Sequence, residues 1–144
     1  MREYVQRQTT VLLRRLAFQI NRAARAGDAD AVHDLRVAIR RLSRCLQAFA
    51  QFYPGHSWKK MRRRLADLMD VCGTVRDLDI AIELLGKAGL PPGSPVVRRL
   101  EVERAKAERE LLGELRRWKG SAVSRQTVQR WGHFRRVIRR ISTP

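Results

Sequence analysis

The chain is short of acid. Among 144 residues, 14 Asp and Glu stand against 31 Lys and Arg, leaving a formal charge of +17 at pH 7. No acid interrupts the stretch between Asp34 and Asp67, and none follows Glu114. So positive a field favours polyanionic partners (nucleic acid, polyphosphate, an anionic lipid surface) and keeps basic faces apart from one another. Lysine is scarce too: it stands only at positions 59, 60, 87, 106 and 119, so 26 of the bases are arginines. A guanidinium grips phosphate through two donors at once, where an ammonium acts as a point charge.

Other absences narrow the classes further. The two cysteines, Cys45 and Cys72, sit in apolar helical surroundings without CxxC spacing. That excludes a disulfide framework and leaves two small buried hydrophobes. Aromatics make up 6% of the chain, too few for a series of base-stacking platforms. Phe49, Phe52, Tyr53 and Trp58 gather at one place, where core packing accounts for them. No apolar run approaches the ~20 residues of a membrane span, and the N-terminus lacks a signal-peptide core, so a cytoplasmic protein without membrane contact is expected. P-loop, GxSxG and HExxH patterns are all missing. Asp77, Asp79 and Glu83 are the nearest thing to a carboxylate set for a metal-dependent phosphohydrolase, but no His–carboxylate pattern accompanies them. In the first turn of a helix, Asp77 and Asp79 have a simpler use as complements to the helix dipole. The expectation is a protein with no metal, no cofactor and no catalysis.

What the chain does have is helical periodicity, with 44% hydrophobic residues to support a core. Apolar stripes predict helices over about 4–26, 30–52, 57–72, 75–88 and 96–118, with a further basic segment over 123–141. Gly27 ends the first, and Asp28 or Asp30 caps the second. Pro54-Gly55 makes a tight turn, Gly73-Thr74 interrupts the pattern with Thr74 as a cap, and residues 89–95 form the one evident loop. Short connections between helices imply antiparallel neighbours. The predicted fold is all-α: one domain over 1–144, an antiparallel bundle of four to six helices with basic grooves.

The second of these helices organises the rest. Leu35, Ile39, Leu42, Leu46 and Phe49 fall on one face, while His33, Arg36, Arg40 and Arg44 fall within about 80° of one another on the other, flanked by Arg41. Most charged faces are merely solvated. Here, however, the following hairpin brings Lys59, Lys60, Arg62, Arg63 and Arg64 to the end of the row. Bases in the first turns of a helix oppose its dipole, a local cost that an anionic ligand would explain. Arg76 is either one half of an ion pair with its neighbouring acids or another anion ligand. His33-x-x-Arg36-x-x-x-Arg40 recurs as His133-x-x-Arg136-x-x-x-Arg140, offset by 100 residues. Chance in an Arg-rich chain and a truncated second copy of the basic helix both explain the repeat.

VHDLRVAIRRL over 32–42 resembles the opening of the CHAD family helix, V-H-x-L-R-x-x-x-R-R-L; the initials stand for conserved histidine α-helical domain. The 65–84 segment, with Gly73 and Val75-Arg76-Asp77-Leu78-Asp79, is similar to that family's helix–turn–helix ending in R-D-L-D. The resemblance covers about 4–118 and leaves 119–144 as a basic C-terminal segment. It implies an all-α fold that binds inorganic polyphosphate, often at polyphosphate granules, through His33, Arg36, Arg40, Arg41 and Arg76. Arg44 and the 59–64 cluster are additions from charge placement. Family members usually comprise two similar bundles, and this chain has room for little more than one. Residues 133–140 are then a remnant or the start of a second bundle, or a homodimer supplies the missing half. Phosphates around His33 would draw its imidazole toward the charged form and neighbouring arginines would oppose this; if phosphate prevails, binding strengthens below neutral pH. The alternative to polyphosphate is non-specific RNA or DNA binding, which the charge alone permits.

Overall fold

In the computed structural model, which describes residues 1–53 and 55–120, four α-helices carry the fold. They are α1 (Arg2–Ala26), α2 (Ala29–Ala48), α3 (Ser57–Lys87) and α4 (Pro95–Gly120), with a 3-10 turn at Ala50–Phe52. Each packs chiefly on its neighbours in chain order, and α4 touches α1 only lightly. The core runs through the middle. Leu35, Ile39, Leu42 and Leu46 of α2 meet Leu65, Leu68, Cys72 and Val75 of α3, with Leu16 and Ile20 of α1 and Leu111, Leu115 and Trp118 of α4 around them. Each such leucine contributes about 1.5–3 kcal/mol by leaving water. The apolar face expected on α2 is present except at Phe49. That residue lies beyond the helix end and stands with its ring centroid 6.3 Å from that of Phe52.

One boundary differs from the expectation. No break occurs at Gly73-Thr74, and a single helix of 31 residues spans Ser57–Lys87. Met61, Leu65, Leu68, Cys72 and Val75 are all buried, and their alternating spacing of four and three residues passes straight through the glycine. Burial along that line outweighs the ~1 kcal/mol that glycine costs a helix interior. The Thr74 hydroxyl donates to the Asp70 carbonyl at 3.2 Å and caps nothing. Asp77 and Asp79 are therefore mid-helix, and the dipole reading of them falls.

Asp79 does something else. Its Oδ1 accepts from Arg104 Nε of α4 at 2.6 Å. The same guanidinium donates to Glu108 at 2.9 Å and to the Gly27 carbonyl at 3.1 Å. One side chain thus ties α3, α4 and the α1–α2 turn together. Asp79 holds the Arg104 guanidinium above its ordinary range, against the effect of burial. Gly27 is favoured by its φ of +59°, and a Cβ there would come within 2.5 Å of a Glu108 oxygen and displace that carboxylate. Asp28 follows as the α2 cap, accepting from the Ala31 amide at 2.7 Å. At the opposite end of the bundle the Thr9 hydroxyl, fully buried, donates to the Val5 carbonyl at 2.7 Å. It is also 2.7 Å from the Tyr53 hydroxyl, which must then be the donor to it.

Two predictions follow from this packing. The Asp79 and Arg104 side chains are only 12% and 22% exposed, so Arg104→Leu strands a carboxylate away from water. It should cost about 3 kcal/mol in urea melts, and adding Asp79→Leu should recover most of the loss. The second concerns alkali. Burial raises the Cys72 thiol from its ordinary 9.0 to about 12, and burial also lifts the Tyr53 hydroxyl. Above pH 9 the unfolded chain therefore gives up protons that the folded chain keeps. Stability should be intact below pH 9 and fall by about 1.4 kcal/mol per pH unit for the thiol alone as the pH rises toward 12. Melts of Cys72→Val over the same range should show that part of the slope gone.

Candidate functional site

The α2 helix has two shoulders above its buried face, and its bases divide between them. Arg36 is half-buried and lies toward α3, near enough to Cys72 for its charge to work against the burial that raises that thiol. Helical spacing sets Arg40, His33 and Arg44 progressively outward on that side, and all three are exposed. Arg41 takes the other shoulder. It lines an open groove of about 270 Å³ between α1 and α2, with Arg15, Gln19, Asp34 and three apolar side chains. Asp34 is held there by an ion pair with Arg22.

The basic cluster at the start of α3 also divides. Lys59, Lys60 and Arg63 are exposed. Arg62 and Arg64 are half-buried, each with its guanidinium carbon near an indole: 6.0 Å from the Trp58 ring centroid for Arg62 and 4.6 Å from that of Trp118 for Arg64. Lys59 Nζ approaches Trp58 as well, at 5.7 Å. These aromatic faces partly offset the missing acid at this terminus, where no carboxylate stands in the first turn and His56 provides no side-chain cap. Because Arg64 faces α4, Arg62 at about 200° from it belongs to the α2 side. Arg76, half-buried, shares that shoulder with Arg62, about 21 Å further along the helix.

The ion pairs sharpen the contrast. Among the described residues they join Arg22 to Asp34, Lys87 to Glu83, Arg99 to Glu103, Arg104 to Asp79 and Glu108, and Arg117 to Glu114. None involves His33, Arg36, Arg40, Arg41, Arg44, Lys59, Lys60, Arg62, Arg63 or Arg76. Within that set, the Nε atoms of Arg36 and Arg62 are buried with no hydrogen-bond acceptor among the described residues. A buried donor left unsatisfied costs about 1–3 kcal/mol, and more when charged. Two such groups border the seam of α2 and α3, where a ligand or solvent oxygen could satisfy them.

The three carboxylates considered for metal binding do not converge. Asp79 is engaged by Arg104, and Asp77 is exposed about 200° away round the helix. Glu83 accepts from Lys87 at 2.6 Å, which holds its carboxyl below the ordinary 4.5. No three His, Cys, Asp or Glu side chains are grouped to hold a metal among the described residues. No helix there is long and apolar enough to cross a membrane. His133, Arg136 and Arg140 lie outside the described residues. The spacing of charge gave no sign that Arg104 is structural. Nor did it separate Arg62, which lies beside the core stripe and near Trp58, from Arg63, which lies opposite that stripe in water.

No curated protein and no solved structure matches this chain. A family model, the CHAD domain, matches residues 8–141 and so reaches well beyond the 118 at which the visible resemblance stops. With that match over nearly all of its length, and the V-H-x-L-R helix at the heart of a bundle of helices, the chain belongs to the CHAD-domain family.

Proposed function

We propose that this protein is a binding module for inorganic polyphosphate, held along the shoulder between α2 and α3. The observation that carries the reading is the pair of buried Nε groups on Arg36 and Arg62, which have no acceptor among the described residues. They stand in a region whose bases have no acidic partners among the described residues. A phosphate oxygen satisfies such an N–H with a charge-assisted hydrogen bond, and a polymer can satisfy both while neutralising Arg40, Arg44 and Arg76. Membership of the CHAD family, which relates to polyphosphate binding in general, supports the same ligand. The exposed His33, Lys59, Lys60 and Arg63 would extend the contact at either end, and Arg41 would hold a chain that passes over α2 toward α1. His133, Arg136 and Arg140 are a proposed second basic site.

The reading is of a binder and not of an enzyme. It is supported by the scatter of Asp77, Asp79 and Glu83, since phosphoryl transfer requires carboxylates that converge on metal beside the phosphates. A cytoplasmic protein that gathers at polyphosphate granules fits this role.

The test is a competition near physiological salt between long-chain polyphosphate, single-stranded RNA and duplex DNA at equal phosphate concentration. Polyphosphate should win by tenfold or more, which is about 1.4 kcal/mol. Arg36→Ala/Arg40→Ala should abolish that preference and make the log–log salt dependence shallower by between about 1 and 2. Equal binding of all three polymers, uniformly weakened in the variant, would show a diffuse cation instead. Incubation of polyphosphate with the protein and Mg²⁺ should release no phosphate.

A further inference from the structure

The groove between α1 and α2 lies on the far side of α2 from the seam. Its floor is apolar, made by Leu12, Val37 and Ala38, and Arg15, Gln19 and Arg41 stand beside it. Acid is confined to one end: Asp34, answered by Arg22, and the exposed Asp30 one turn before it on α2. Arg15 and Arg41 have no ion-pair partner among the described residues, so the groove keeps an excess of positive charge. The Oε1 of Gln19 is buried and accepts from nothing among the described residues. Beside the groove, α1 carries an apolar ridge. Tyr4, Val11 and Phe18 are spaced seven residues apart and form one line over about 21 Å of that helix. They are 55%, 42% and 64% exposed. Arg15 is one turn from both Val11 and Phe18, so ridge and groove make one continuous surface. Arg7 and Arg14, both exposed, flank the ridge on the side away from α2.

We propose that this surface is a docking site for an acidic amphipathic helix of another protein. Apolar side chains of that helix enter the groove and cover the ridge, while its carboxylates meet Arg14, Arg15 and Arg41. The inference goes beyond the polyphosphate reading and shares only Arg41 with it. Each feature selects against a different occupant. A phosphate chain has nothing to place on Leu12, Val37 and Ala38 and no N–H to give to Gln19, whereas a polypeptide has both apolar side chains and donors. The floor is recessed between two helices, out of reach of a flat lipid surface. A second copy would set one row of Arg7, Arg14 and Arg15 against another, and residues 121–144 of this chain hold bases and no acid. An acidic helix with an apolar face answers floor, ridge and charge together.

The probe is a labelled peptide of about 15 residues, with Leu at spacings of three and four and Glu and Gln elsewhere, titrated with the full chain near physiological salt. Its control has the same composition with the leucines scattered round the helix, which keeps the charge and removes the apolar face. Fluorescence anisotropy should show the amphipathic peptide bound at least about tenfold more tightly than the control. Phe18→Ser and Arg15→Glu should each weaken it by about tenfold. Both variants should melt at the wild-type temperature, since both side chains are exposed. Arg36→Ala/Arg40→Ala should discriminate between the peptides as the wild type does. Loss of that discrimination would put the peptide on the α2–α3 seam and overturn the proposal. Equal binding of the two peptides, no binding by the full chain, or full peptide affinity in Phe18→Ser overturns it as well. Two further results would give the ridge to another occupant and overturn it. One is sedimentation with vesicles of phosphatidylcholine and phosphatidylserine that Phe18→Ser abolishes; the other is a dimer in light scattering that Phe18→Ser makes monomeric. The competition of polyphosphate with RNA and DNA can fail without touching this inference, which has its own readout.

Discussion

The α2–α3 seam constrains everything else. Leu35, Ile39, Leu42 and Leu46 on one helix and Leu65, Leu68, Cys72 and Val75 on the other must leave water together, and only one relative rotation of the helices buries both sets. Once that rotation is fixed, helical period leaves no freedom for the residues beside the stripes. Arg36 is carried to the edge of the seam, Arg62 and Arg76 come to the facing shoulder, and Arg41 is sent to the far side toward α1. The basic groups are gathered by hydrophobic burial, against their mutual repulsion. That is how a chain with +17 charges comes to hold some of them partly out of water.

Charge is segregated along the bundle as a result. Glu83 of α3 and Glu103 and Glu114 of α4 answer local bases, and Arg104 draws Asp79, Glu108 and the Gly27 carbonyl into one junction. That junction closes the end of the bundle at which α1 turns into α2. The other end closes without charge, through Tyr53, Thr9 and the Val5 carbonyl. With structure held by these two devices and by the core, the bases beside the seam carry no ion pairs among the described residues.

Much of this was legible in the sequence. The apolar stripes located the helices, Gly27 and Asp28 marked the first turn, and the spacing of His33, Arg36, Arg40 and Arg44 showed a basic side to α2. The break at Gly73 was misread because local propensity was weighed without the continuous four-and-three register of Met61 to Val75, which is a tertiary quantity. Asp79 was misread for the same reason: its partner Arg104 is 25 residues away on another helix. The helical period does set Arg62 beside the core stripe and Arg63 opposite it, but the burial of the Arg62 Nε itself is a tertiary quantity that the period does not encode. The sequence distinguishes basic from apolar; it does not distinguish a solvated guanidinium from one whose Nε is shut away from water.

That distinction is the centre of the account, and it can be observed directly. The measurement is a titration of ¹⁵N-labelled protein with long-chain polyphosphate, following the arginine Nε–H resonances and assigning two of them through Arg36→Lys and Arg62→Lys. The account predicts that these two signals shift most, saturate together and become protected from exchange as the buried donors acquire phosphate acceptors. If Arg36 and Arg62 stay unmoved while only exposed bases such as Arg40 and Arg63 respond, the polymer is held at the surface and the buried groups play no part in binding it.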